Sequence, residues 1–336
     1  MLKLLNVTMN IILCGFDFLE RSNIVGIFST PKKYAEETER NRPKNIESEH
    51  SLGKMTFLGL LATITPLRIF LKLHPKHILD NSKIEKRDTN LQQVPIIYIH
   101  GFRGGDYTTM VMVQKACEAK NDQRYLKVTA DLWGNIKLSG TYTNDKHPII
   151  QLAFKDRIVG YQGINYYLSF LLPFLSKKYH FDCYNGVAHS LGAPCLVATE
   201  MHYAKKKNFP HLKKCALIAG PFDGVMYLGD IPNVNYLNED GRPTMITWHY
   251  SYMLRHRKRF NPKIQVLNIY GNVLDSTNSD RFISVVSAKS IRYILAPNAE
   301  LYQEVEVRGD PQAEHSQMHD EPFVIDILNN FLNLSK

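Results

Sequence analysis

From residue 94 onward the chain alternates short aliphatic runs with longer stretches whose apolar residues recur three or four apart. Residues 94–99 (VPIIYI) are almost wholly apolar and end at His100-Gly101, as expected of a strand covered on both faces. Further strands are predicted over 125–130, 183–188, 214–219, 264–270 and 302–307. Helices are predicted over about 107–119, 160–178, 191–205 and 321–334, and the last carries apolar residues at 323, 324, 327, 328, 331 and 332. Pro173 is expected to kink the end of the second helix. Residues 131–150 are polar and rich in Gly and Asn, and read as loop. Residues 222–262 read as loops around one helical stretch at 245–257. Strands and helices alternating at this spacing imply βαβ units and a mainly parallel sheet, whose chemistry gathers at the C-terminal strand ends.

The first 93 residues break this rhythm. Two uncharged apolar runs, 4–16 and 55–67, are each 13 residues long, shorter than the roughly 20 residues of a spanning helix. Neither is followed by a convincing small-x-small cleavage site. The second continues to about residue 73 and could anchor if Arg68 and Lys72 reach toward headgroups; the alternative is an amphipathic helix packed on the domain. Residues 32–50 and 79–93 are polar and read as connectors. The expected division is an N-terminal extension, 1–93, and a main domain, 94–336.

Composition narrows the class. With 336 residues, 44% hydrophobic and 22% charged, the chain is an ordinary globular sequence able to bury a large core. Its five cysteines are scattered without a CxxC pair, which argues against a disulfide scaffold or a zinc site. The net charge of +9 suits an anionic surface. The densest basic run is Arg255-His256-Arg257-Lys258-Arg259, either a solvated helix end or a headgroup patch. No RNA-binding signature accompanies the aromatic residues, so nucleic acid is not an expected partner.

Three strand ends carry candidate chemistry. The first is AHSLGA, residues 188–193. A nucleophile on a tight strand-to-helix turn needs small neighbours two residues either side, and Ser190 has Ala188 and Gly192. The helix beginning there would aim free N–H groups at developing negative charge. The plainer reading makes Ser190 a helix N-cap. The second is HGFRGG, residues 100–105, which could turn the Phe102 N–H into the site beside that of Leu191 as a two-donor oxyanion hole. It lacks the spacing of a nucleotide-binding glycine loop. The third is a carboxylate and an imidazole near the C-terminus. Asp280 is preferred over Asp275 because it leads into an apolar segment, and His315 over His319 because His319 lies close to a helix start, where a cap or surface role is expected. His189 is expected to pack locally, and His100 to bond the loop backbone. The order Ser, Asp, His is that of one class of hydrolase fold. No metal-ligand spacing occurs.

Taken together, HGFRGG, AHSLGA, IAGPFDG, NIYGN, NSDRFISVVSA and EHSQMHDEPFVIDIL resemble lipase/esterase-type α/β-hydrolases, most of all Gram-positive cell-surface serine hydrolases, many of them N-terminally anchored. The resemblance implies an α/β-hydrolase fold over about residues 94–335. That fold has a mostly parallel sheet of about eight strands flanked by helices, here with a small cap insertion at 222–262. It also implies a Ser190, Asp280, His315 triad, although family members usually have Gly where this chain has Arg281. The expected function is hydrolysis of a small-molecule or lipid carboxylic ester through an acyl-serine, with no cofactor or metal. Thioester hydrolysis or acyl transfer by the same triad, or a tethered non-catalytic binding protein, are the alternatives. The expected location is the membrane or cell surface, with the cytoplasm as alternative.

Overall fold

The central sheet is laid down by nine segments, seen in a computed structural model that describes His74, residues 76–86 and residues 91–334. The apolar runs at 4–16 and 55–67 and the connector at 32–50 lie outside the described residues. The strands are β1 (Ile78–Ile84), β2 (Ile96–Ile99), β3 (Leu126–Ala130), β4 (Ile136–Tyr142), β5 (Ile149–Phe154), β6 (Cys183–His189) and β7 (His211–Ile218). The short pair β8 (Val225–Met226) and β9 (Gly229–Asp230) stands apart, and β10 (Gln265–Asn272) and β11 (Leu301–Arg308) complete the sheet. Its order is β1-β4-β3-β5-β2-β6-β7-β10-β11. Every neighbouring pair is parallel except β3 with β4.

Helices cover both faces because the strand residues alternate in direction. Ile97 and Ile99 face one layer, which contains α2 (Tyr161–Tyr179), α3 (Gly192–Tyr203) and α4 (Trp248–His256). Ile96 and Tyr98 face the other, built on α1 (Asp106–Ala119) and α7 (Pro322–Phe331). Two short helices, α5 (Val285–Lys289) and α6 (Ile291–Leu295), follow β10. Pro173 sits inside α2, which runs on to Tyr179 and stops where His180 turns left-handed, φ +54°. Cys117, Cys195 and Cys215 are free and buried, as small apolar side chains.

Three strands of the nine-stranded sheet were not predicted, and each has a physical reason. The segment at 79–93, read as a connector, begins inside β1. That edge strand pairs on one side only, so Ile78, Leu79 and Ile84 stay more than half exposed and its sequence carries no burial signal. The stretch read as loop at 131–150 holds β4, in which buried Ile136, Leu138 and Tyr142 alternate with polar residues. It also holds the start of β5, every residue of which is buried. The sheet therefore has nine strands rather than about eight.

Topology places the candidate residues. β2 lies at the point where the chain's order across the sheet reverses, between β5 and β6. Ile99 pairs with Ala188, and His189 with Ile218. The loops leaving β2 and β6 therefore start side by side, at the crevice where open parallel sheets place their ligands. No helix among the described residues is long and apolar enough to cross a membrane.

Candidate active site

Ser190 stands between β6 and α3 with φ +53°. That left-handed conformation costs a non-glycine residue roughly 1–3 kcal/mol. Its surroundings impose it: the Ser190 N–H donates to Ile218 O at 2.8 Å, tying the turn to β7. The turn is packed too tightly for larger neighbours. A Cβ on Gly192 would come within 2.8 Å of His100 O, and one on Gly101 within 2.8 Å of both Leu191 N and Ser190 Cβ. Ala188 is fully buried at the other small position. The contact of Gly101 with Leu191 N brings the loop bearing Phe102 against the first turn of α3, where both expected N–H donors reside.

His315 and Asp280 meet Ser190 in one hydrogen-bonded row. The Ser190 hydroxyl lies 3.0 Å from His315 Nε2, and His315 Nδ1 lies 2.8 Å from Asp280 Oδ2. A carboxylate accepts, so Nδ1 carries the hydrogen and Nε2 offers its lone pair to Ser190. Asp280 is 1% exposed, and its other oxygen accepts from the N–H groups of Phe282 (2.9 Å) and Ile283 (2.6 Å). The His315 N–H also donates to Asp280 O at 3.0 Å. Arg281 occupies the position where glycine was expected and itself takes φ +77°. The left-handed turn is thus kept without glycine.

Burial alone would lower the His315 pKa. The charge and hydrogen bond of Asp280, with the charge of Glu314, outweigh it and hold the pKa above the ordinary histidine value.

Between the alternatives left open by the sequence, the structure separates the pairs. Asp275 is exposed and accepts from the N–H and hydroxyl of Thr277, capping its own turn. His319 is not a surface residue but is 2% exposed. It lies edge-on to the His189 ring at 4.8 Å and bonds Asp320. Its short 3-10 turn, Met318–Asp320, buries His319 together with Met318.

Three supporting residues carry more than the sequence suggested. His189 does pack locally, and its Nε2–H also donates to His315 O at 3.1 Å, so both backbone polar groups of His315 are held. Burial, first, and its neighbouring histidines push the His189 pKa well down, which keeps the ring neutral. His100 accepts from Phe154 N–H at Nε2 (3.0 Å) and donates from Nδ1 to Gly101 O (3.0 Å). Burial pushes its pKa down to about 4, so this single tautomer bridges β5 to the glycine loop. Arg157 gave no sequence signal at all. Its guanidinium bonds Arg103 O, Gly104 O and the Tyr107 hydroxyl, and its carbonyl accepts from Arg103 N–H. Among the described residues no cluster of three or more His, Cys, Asp or Glu could hold a metal ion.

Residues 83–334 match the family model described as alpha/beta hydrolase of unknown function (DUF915). The chain belongs to this alpha/beta hydrolase family. Among solved structures the hydrolase is similar to the lin2722 gene product of Listeria innocua, at 25% identity and a TM-score of 0.64, covering 73% of this chain and 96% of that one. It is also similar to a Lactobacillus plantarum protein described as a cell surface hydrolase, at 20% identity and a TM-score of 0.59, covering 73% and 93%. A search of curated proteins finds no match. The nine-stranded, mostly parallel sheet of the hydrolase is the fold the family name implies.

Proposed function

We propose that this hydrolase cleaves carboxylic esters through an acyl-serine intermediate. The observation that carries the reading is the row of two hydrogen bonds from Ser190 through His315 to Asp280. A serine hydroxyl is a weak nucleophile until a base takes its proton, and His315 Nε2 is within reach. As Ser190 Oγ bonds to the ester carbonyl carbon, His315 takes the hydroxyl proton and the carbonyl oxygen becomes an oxyanion. The N–H groups of Phe102 and Leu191 are assigned to that oxygen. His315 then gives its proton to the departing alcohol, leaving the acyl group on Ser190. Water attacks the acyl carbon in a second round, with His315 again taking and returning one proton. Asp280 keeps the imidazole in its tautomer and offsets the imidazolium charge.

The test is labelling with a fluorophosphonate probe together with turnover of short-chain p-nitrophenyl esters. The wild type should label at Ser190 and turn over the esters, and Ser190→Ala should do neither. A wild type that neither labels nor hydrolyses refutes the reading.

A further inference from the structure

The segment between β8 and α4 exposes an unusual amount of apolar surface. Tyr227, Leu228, Val234, Tyr236 and Trp248 are each 56–64% exposed, and Leu274, on the loop before Asp280, is 56% exposed. A monomeric protein rarely leaves so many large apolar side chains together in water without using them. The segment is tied to the elements that carry the row built on Ser190. Asn233 bonds Ser276 O and Met226 N–H bonds Phe282 O, so the segment rests on the loop that carries Asp280. Phe282 in turn packs on the His315 ring at 5.3 Å. On the other side Trp248 meets the Tyr161 ring edge-on at 5.1 Å, and Tyr161 O accepts from Cys195 in the first turn of α3.

The exposed charges at the α4 end of this surface are basic. Trp248 opens α4, and Arg255 lies seven residues on, two turns along the same helical face. Both are exposed, whereas Tyr250 and Met253 bury the opposite face. The chain then continues into the short 3-10 turn Arg257–Arg259, where Lys258 and Arg259 are also exposed. The exposed carboxylates lie elsewhere, Glu239 and Asp240 on the turn at 238–242 and Asp275 beside Leu274. Tyr and Trp beside Arg and Lys form the combination that settles at the headgroup level of a bilayer, with rings in the acyl boundary and cations among phosphates.

We propose that this rim docks the hydrolase on an anionic lipid–water interface, so that esters reach Ser190 from that interface. The second half of the statement rests on the ester-hydrolase reading above; the docking does not.

The test uses the full chain carrying Trp133→Phe, which leaves Trp248 as its one tryptophan. Emission is recorded with vesicles of phosphatidylcholine alone and of equal parts phosphatidylcholine and phosphatidylglycerol, both containing acyl-brominated lipid as quencher. Trp248 should shift to the blue and be quenched in the anionic vesicles, and much less in the neutral ones. Lys258→Glu with Arg259→Glu should weaken that partitioning at least about tenfold, and Leu228→Ser should also reduce the quenching. Emission that stays unquenched in anionic vesicles overturns the proposal, even if the chain sediments with them through another segment. Equal quenching in both vesicle types overturns it too. The readout needs no turnover, so Ser190→Ala should be quenched like wild type. A chain that fails to label at Ser190 yet is quenched refutes only the esterase reading.

Discussion

The sheet-end site and the segment around β8, β9 and α4 are held by different means. At the sheet end, main-chain bonds set almost every position. The register of β2, β6 and β7 fixes where Ser190 turns, two N–H groups fix Asp280, and His315 is bonded at both its N–H and its carbonyl. The neighbouring segment has main-chain turns of its own, but buried side chains tie those turns to one another. Asp223 accepts from Thr247 N–H and hydroxyl, Asp230 accepts from Ser284, and the Asn235 amide bridges the two carboxylates at 3.3 and 3.0 Å. Geometry set by the backbone suits chemistry, where a displacement of about 1 Å can cost a hundredfold in rate. Geometry that depends on Asp223, whose pKa burial raises, responds to pH and suits a surface that only needs to meet a partner.

This contrast breaks if changes at the sheet end fail to abolish chemistry or disturb the other segment. The largest effect is expected of Ser190→Ala, with kcat on a soluble ester lowered about a millionfold, and Asp280→Asn follows at about ten-thousandfold. Steady-state kinetics measures both, and Trp248 emission should be unchanged in both. A shift in that emission would mean that the two regions are one mechanical unit.

In the proposed mechanism His315 must be neutral to take the Ser190 proton, so activity should rise as pH rises through its pKa. Because Asp280 lifts that pKa, the midpoint of the acid limb of kcat/KM should lie above the ordinary value of about 6.5. In Asp280→Asn the lifting charge is gone and burial acts against protonation, so the residual activity should show its midpoint at lower pH. An unmoved midpoint would assign the limb to another group.

A smaller effect is expected of His189→Phe, which keeps the buried ring but removes the donor to His315 O. Leaving a buried carbonyl unpaired costs about 1–3 kcal/mol. The melting temperature should fall, and kcat should drop about tenfold at unchanged KM if part of that cost appears as misplacement of His315. A loss of stability with kcat unaltered would make His189 a packing residue only.

The candidate site was far more legible in the sequence than the parts that support it. Ser190 announced itself through Ala188 and Gly192, because a tight turn dictates residue size at fixed offsets. Asp280 was reachable because it follows the buried strand β10, and His315 because it follows β11, whose alternating run is legible although only Val307 of it is buried. Arg157 was not, since its work is done on carbonyl oxygens of a loop 54 residues away, and no local pattern records that. β1 and β4 were missed for a related reason. Hydrophobic pattern reports burial, and an edge strand with exposed Ile78 and Leu79, or an alternating strand interrupted by Gly140 at φ +84°, satisfies its backbone without burying a continuous run. His319 was misplaced as a cap because nearness to a helix start says nothing of which way the preceding turn points.

The smallest effect is expected at the buried Asp223. Burial raises the Asp223 pKa to about 6, against the hydrogen bonds from Thr247 and Asn235 that would lower it and with the charge of Asp230 adding to the rise. In the unfolded chain the group titrates near 3.9. The folded state therefore holds this proton more tightly. The stability linked to it is full below pH 4 and is lost as pH rises through about 6, a contribution on the order of 2–3 kcal/mol. Asp223→Asn removes that titration. Between pH 5 and pH 7.5 the wild-type melting temperature should change relative to the variant's by a few degrees, with the wild type comparatively less stable at the higher pH. Other titrating groups act equally in both proteins and cancel in the difference. Parallel curves would mean that Asp223 is charged across the whole range and that its hydrogen bonds, not its burial, govern it. Curves that converge toward acid would place the firmest hold on this segment at the pH where His315 is protonated and the chemistry is idle.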